Sequence, residues 1–248
     1  MSDLLLTDPA QTERWDKEWL QYLCTENPAA HLRSYEELGG SAIDRQRFAG
    51  LDRDAMLDFA PLPAVGGWFV WATGKDLLDR DVLEFGCGCG FFGKQVGRVA
   101  RSYTGVDVSA LALHIAKLVS PGNCRYLHVT GADALAPGSI DIVVGRHFFI
   151  HQPWPLAESI LRQAHAALRP GGSVRADFWL SVKGRPEGTV IDAAKTRTGA
   201  PGADRPASAA YRYTEGEIGE LAAAVGLRVD AVHDRPAVHR RYVELVKD

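Results

Sequence analysis

Val82-Leu-Glu-Phe-Gly-Cys-Gly-Cys-Gly90 is the stretch that decides the fold. Its apolar start reads as a short strand, Val82–Phe85. The three alternate glycines that follow let the backbone turn tightly beside a ligand before a helix opens at Phe91. Seventeen residues beyond Gly90 stands Asp107, at the tip of the second apolar run, Tyr103–Asp107. A carboxylate there can accept both ribose hydroxyls of an adenosine.

Gly88, Gly90 and Gly93 also satisfy the dinucleotide fingerprint Gly-x-Gly-x-x-Gly. Three features decide against a nicotinamide or flavin. In the register where Gly86 ends the strand, position 91 must be small, and it is Phe. Glu84, inside the strand just ahead of the loop, would repel a pyrophosphate and instead hold a positive amine. The last two strands form a hairpin, which a doubly wound dinucleotide domain lacks.

Working outward from residue 82, short apolar runs alternate with helical stretches, the pattern of βαβ units and a largely parallel sheet. A helix is predicted over Phe91–Arg101. Ser109 is placed to cap a second over 110–119, which Pro121-Gly122 stops. Strands are predicted at Arg125–Val129, Ile140–Val144 and Ser173–Leu180. A helix from about Pro155 carries Leu156, Ile160, Leu161, Ala164 and Leu168 on one face and ends before Pro170-Gly-Gly172. Thr214 and Glu217 form a capping-box pattern for a helix reaching Gly226. Leu227–His233 and Arg240–Val246 are joined by too short a link for a crossover helix, so that pair is expected to be antiparallel.

Two segments fall outside this pattern. Residues 1–76 read as a helical N-terminal extension, or cap, holding nine of the chain's 22 aromatic residues. Residues 77–248 read as the main domain, with 181–212 as a lid-like insertion of poor periodicity. That insertion carries six Lys and Arg against three acidic residues, in a chain whose formal net charge is −3. A cationic loop over a pocket suits an acidic acceptor; the alternative is a solvated loop answering the acidic N-terminal segment.

Apolar residues make up 46% of the 248 and charged residues 24%, the composition of a folded globule rather than a disordered chain. The net charge of −3 and the lack of a basic stripe argue against nucleic acid as partner. No apolar run is long enough to span a bilayer, and acids stand where a signal peptide needs lysines. Four cysteines do not make a disulfide framework in a chain this size. The expectation is a cytoplasmic protein. Cys87-Gly-Cys89 has no nearby His or Cys to complete a ligand set, so no metal is expected.

With these motifs in this order, the chain resembles the class I S-adenosylmethionine-dependent methyltransferases over residues 82–246. Val82–Gly90 resembles the family's first motif, with Glu84 as its acidic residue. Asp107 matches the ribose-binding acid. Gly131-Ala-Asp-Ala-Leu135 is similar to the segment that holds the adenine, and Asp141–Gln152 to the fourth strand with its trailing loop. The resemblance implies an α/β, Rossmann-like seven-stranded sheet of order 3-2-1-4-5-7-6, strand seven antiparallel and helices on both faces. It also implies S-adenosyl-L-methionine as cofactor, contacted by Glu84, Gly86, Cys87, Gly88, Asp107, Val108, Asp133, Ala134 and Arg146, the last through its backbone carbonyl.

Methyl transfer is an in-line displacement, to which a protein contributes alignment and exclusion of water. A hydroxyl acceptor also needs a general base. His147, three residues past Val144 at the mouth of the sheet, is the first candidate, since a histidine titrating near neutrality suits the task; alternatively it bonds a loop carbonyl. His151 is the second, at a place where many family members carry a histidine that braces the loop. Asp177 could act with either imidazole or serve as an ion-paired strand residue. The motif that amino-group methylases of DNA and glutamine carry after strand four is replaced by Gly145-Arg-His-Phe148. The expected activity is O-methylation of a small molecule, and the cationic insertion suits an acidic one. The rivals are N- or C-methylation on the same fold and a non-catalytic accessory protein that binds the cofactor.

Overall fold

The structure, a computed structural model, describes residues 9–21, 77–180, 190–198, 210–235 and 240–248. Most of the proposed extension (residues 22–76) and much of the proposed lid lie outside the described residues. The strands are β1 (Asp81–Phe85), β2 (Ser102–Asp107), β3 (Cys124–His128), β4 (Ile140–Gly145), β5 (Leu168–Trp179), β6 (Val190–Asp192), β7 (Ala210–Arg212), β8 (Arg228–Arg235) and β9 (Arg240–Val246). The helices are α1 (Pro9–Gln21), α2 (Phe91–Val96), α3 (Ala110–Val119), α4 (Trp154–Ala167) and α5 (Glu215–Ala224).

The sheet runs β3-β2-β1-β4-β5. β9 then lies antiparallel to β5, with Val174 opposite Leu245, and β8 lies antiparallel to β9. β8 and β9 are therefore the sixth and seventh strands expected from the resemblance, in the expected order and sense. The chain divides into two compact units, one holding Val82–Gly86 and Asp133–Asp248, the other Pro9–Asp81 and Cys87–Ala132.

In the first unit β1 pairs with β4 in parallel register, Val82 with Ile142 and Glu84 with Val144. All four residues are buried, as a strand covered on both faces requires. Phe149 stacks on Phe178, and Phe178 meets Tyr213 edge to face, with ring centroids 5.2 Å apart at each step. Thr214 caps α5 through a full capping box with Glu217. α4 ends at Ala167, where Lys247 Nζ donates to the carbonyls of His165 and Leu168 at 2.8 Å, satisfying the acceptors a helix end leaves open. β5 begins five residues earlier than the sequence suggests, because the Gly171–Gly172 turn still bonds to Lys247 of the neighbouring chain end. Two three-residue strands, β6 and β7, pair in parallel within 181–212; strands that short carry no readable periodicity.

In the second unit Tyr103 and Tyr126 pack at 5.7 Å, and the Tyr126 hydroxyl bonds Ser120 Oγ at 2.5 Å. Ser109 caps α3, accepting from Ala112 N–H at 3.0 Å, as its position predicts. α2 stops at Val96 rather than Arg101. Gly97 favours an end there, and the Asn123 side-chain amide satisfies the carbonyls of Gly97 and Ala100.

Candidate active site

Asp107 ends β2 with only 8% of its surface exposed. Its Oδ2 accepts Gly88 N–H at 2.8 Å, and its Oδ1 accepts Ser109 N–H at 2.8 Å. One carboxylate thus fixes the glycine loop and the start of α3 together. Burial pushes its pKa up, opposed by these N–H donors and by the charge of His128. His128 Nε2 also bonds the Val108 carbonyl at 3.0 Å. Gly88 is left-handed, φ 53°, and a Cβ there would stand 2.1 Å from the Trp19 indole of α1. Asp16 of the same helix accepts from the Ser109 hydroxyl at 2.5 Å and from Leu111 N–H at 3.4 Å. Nothing in the sequence marks Asp16 or Trp19 as neighbours of this region, since Asp16 reaches Ser109 across 93 positions and Trp19 lies outside any local pattern that includes Gly88.

In the first unit Glu84, 1% exposed, lies 3.9 Å from Arg146 Nε. Gly86 is left-handed, φ 71°, with the Phe148 ring 2.3 Å from where a Cβ would stand, so only glycine fits there. β4 ends at Gly145, and the chain turns through Arg146 to His147, which adopts φ 53°. A non-glycine residue in that region costs about 1–2 kcal/mol. His147 N–H meets this by donating to Asp177 Oδ1 at 2.6 Å.

Asp177 is fully buried in β5. Its Oδ2 faces Arg240 Nε at 3.6 Å. Arg240 stands opposite Trp179 in the β5–β9 register and reaches diagonally to Asp177, its guanidinium 5.6 Å from the Trp179 ring. The same guanidinium approaches His147 Nδ1 at 3.0 Å. Asp177 is thus ion-paired, but with Arg240 rather than with its strand neighbour Arg175, which pairs with Glu244. Burial raises the Asp177 carboxyl to about 6, against the pull of Arg240, the His147 N–H and Arg146.

His147 differs from the sequence expectation of a side chain titrating near neutrality. Desolvation of the ring, then the positive charges of Arg240 and Arg146, lowers it to about 3. The residue as a whole is nevertheless exposed. His151 closes the short turn Phe149–His151 and is half-buried. Asp133 and Ala134 lie on the 3-10 turn Val129–Ala134.

The second unit therefore brings Gly88, Asp107 and Val108 together. The first brings together Glu84 and Arg146, and His147 with Asp177. Sequence reasoning missed Arg240, Asp16 and Trp19; Arg240 gives no local signal because β9 delivers it from 93 positions away. Burial raises the Cys89 thiol well above its ordinary range. Among the described residues no cluster of three His, Cys, Asp or Glu side chains is arranged to hold a metal ion, and no helix is long and apolar enough to cross a membrane.

Residues 82–172 match the family described as methyltransferase domain. The chain carries a class I methyltransferase domain. A ubiquinone biosynthesis O-methyltransferase of Cupriavidus pinatubonensis is 34% identical over 130 residues, covering 49% of this chain and 51% of that one. The ribosomal RNA small subunit methyltransferase C of Pseudomonas entomophila is 31% identical over 38% of this chain and 30% of its own. The chain spans about half the length of the ubiquinone relatives it matches. A magnesium protoporphyrin IX methyltransferase from Synechocystis, solved with bound S-adenosylhomocysteine, shares the fold of this methyltransferase domain. Its TM-score is 0.55 at 14% identity, over 94% of this chain and 99% of that one.

Proposed function

We propose that the chain is an S-adenosyl-L-methionine-dependent methyltransferase that methylates an oxygen of a small-molecule acceptor. The observation that carries the reading is the Asp107 carboxylate, buried at the tip of β2 and holding Gly88 N–H and Ser109 N–H at 2.8 Å each. An ionised carboxylate has about four acceptor positions. Gly88 and Ser109 N–H take two and Val108 N–H bears on a third, which leaves an acceptor position for a ribose hydroxyl, so the residues present fit the cofactor. When bound, the cofactor supplies the reactive methyl carbon and its leaving group. Glu84 would hold the cofactor's ammonium group, with the Arg146 carbonyl as a further acceptor. Asp133 and the Ala134 amide are assigned to the adenine, and Gly86, Cys87 and Val108 to backbone contacts.

The oxygen acceptor is supported by the likeness to the ubiquinone O-methyltransferases. His147 and His151 are proposed to face the acceptor. Residues 1–76 would form a cap and 181–212 a lid on the domain of 77–248, in a cytoplasmic enzyme. A second reading, a nucleic-acid acceptor, is favoured by the match to a ribosomal RNA enzyme, and the chain's net charge of −3 weighs against it.

The test is formation of S-adenosylhomocysteine from S-adenosyl-L-methionine with phenols, carboxylic acids, amines and 16S ribosomal RNA as separate acceptors. Turnover with phenols or acids alone supports the proposal. Turnover with RNA or amines alone, or with none of the four, overturns it.

A further inference from the structure

The end of β4 holds a charge arrangement that the methyltransferase reading does not itself require. Arginine has five N–H donors and no acceptor, and it stays protonated in proteins. The 3.0 Å approach of Arg240 Nη2 to His147 Nδ1 therefore makes Nδ1 the accepting nitrogen, and the neutral ring must carry its proton on Nε2. Among the described residues no protein group takes that proton, and His147 is an exposed residue.

Two features hold this arrangement. Asp177 Oδ1 accepts His147 N–H at 2.6 Å and pins the left-handed turn. Its Oδ2 lies 3.6 Å from Arg240 Nε, which anchors the guanidinium that fixes the ring. Asp177 and Arg240 are positioning residues, since Asp177 is fully buried and Arg240 acts through the imidazole. The charged groups facing His147 are Arg240, Arg146 and Asp177. A second proton on this ring would create a cation beside two guanidiniums, which like-charge repulsion disfavours.

We infer that His147 is not the proton acceptor of the reaction but a hydrogen-bond donor, held as its Nε2–H form by Arg240 and Asp177, for an acceptor that arrives already anionic, a carboxylate or an ionised phenol. This rests on the methyltransferase reading and narrows its substrate class. The balance is complete without a base: the acceptor's anionic oxygen forms the new C–O bond, the S–CH3 bond breaks, and its electron pair stays on sulfur as a thioether. The negative charge of the acceptor and the positive charge of the sulfonium cancel, and no proton moves. The two arginines then favour binding of the anion as well as keeping the histidine neutral.

The test combines a spectrum with kinetics. In 15N-histidine-labelled protein, without cofactor, His147 is expected to show a pyridine-type Nδ1 and a pyrrole-type Nε2, with no titration between pH 5 and 8. Arg240→Ala should raise the titration toward the ordinary histidine range, a change that mere structural support would not produce. With benzoate as acceptor, ionised over the whole range, kcat/KM should show no histidine titration between pH 5 and 8, and any change near pH 6 should follow the Asp177 carboxyl and persist in His147→Gln. His147→Ala should lose at least tenfold, and His147→Gln, which retains an N–H donor, should recover most of it. Benzamide, of the same shape without the charge, should neither bind nor react.

A pyrrole-type Nδ1, or a rate that falls below pH 7 in the wild type and becomes flat in His147→Gln, overturns the inference. Turnover with neutral alcohols but not with benzoate or an acidic phenol does the same. S-adenosylhomocysteine calorimetry on the same preparation separates the two levels. A protein that fails to bind it defeats the methyltransferase reading and the acceptor assignment with it. A protein that binds it but shows the wrong ring form defeats only the present inference.

Discussion

Replacing Asp177 by Asn should change how stability depends on pH, and the size of the change follows from its surroundings. The carboxyl is fully buried in β5 and is raised from 3.8 to about 6, chiefly by desolvation. A group whose folded pKa lies above its unfolded value contributes stability that is complete below the unfolded pKa and is lost as pH rises through the folded one. For Asp177 that loss starts near pH 4 and is complete above about pH 6. It amounts to roughly 3 kcal/mol in all, about half of it between pH 5 and pH 8. Asn has the same shape and still offers an oxygen to His147 N–H, so the left-handed turn survives while the titration disappears. His147 acts in the opposite sense, because its lowered pKa gives stability that is lost as pH falls. Its titration is set first by desolvation and then by Arg240 and Arg146; of these only the Arg240 contact loses its anchor in the variant, so the difference between the two proteins reports chiefly the carboxyl. Urea unfolding of both proteins at pH 5, 6, 7 and 8 reads the effect as a shift in midpoint at constant slope. Wild type should lose about 1.5 kcal/mol relative to Asp177→Asn between pH 5 and pH 8. A difference that stays constant over this range, or changes in the opposite direction, refutes the reasoning.

Gly86→Ala should destabilise by about 2–4 kcal/mol in urea unfolding, because it combines a left-handed backbone with a Cβ 2.3 Å from the Phe148 ring; a loss under 1 kcal/mol would contradict this. Asp16→Ala removes an acceptor from the Ser109 hydroxyl and from Leu111 N–H. It should cost about 1–3 kcal/mol and increase amide hydrogen exchange at the start of α3; unchanged protection there would show that α1 does not support the loop.

The parts of the fold that were legible in the sequence are those set by local rules. Ser109 as a cap, the Thr214–Glu217 box and the glycine turn after Phe85 each depend on residues within a few positions, and local chemistry decides them. The five parallel strands and the closing hairpin follow from apolar runs separated by helical periodicity. Gly97 marks the end of α2 locally, but the Asn123 amide that holds the carbonyls of Gly97 and Ala100 just past that end comes from over twenty positions away and leaves no local sign. β6 and β7 are three residues each, too short to show alternation.

The candidate site divides the same way. Asp107 and Glu84 are marked by their distance from the glycine loop. The surroundings of His147 are not, because they come from β5 and β9. A sequence shows a histidine after a strand but not the guanidinium that arrives from 93 residues away and turns its Nδ1 into an acceptor. That contact separates a base from a donor, and only the β5–β9 register reveals it.

The most direct test of the central claim is calorimetry with S-adenosylhomocysteine on the wild type and on Asp107→Asn, with NADH as the competing ligand. The account predicts one S-adenosylhomocysteine per chain, at least tenfold weaker binding in the variant, and no heat with NADH. Equal affinity in the two proteins, or a preference for NADH, would contradict it.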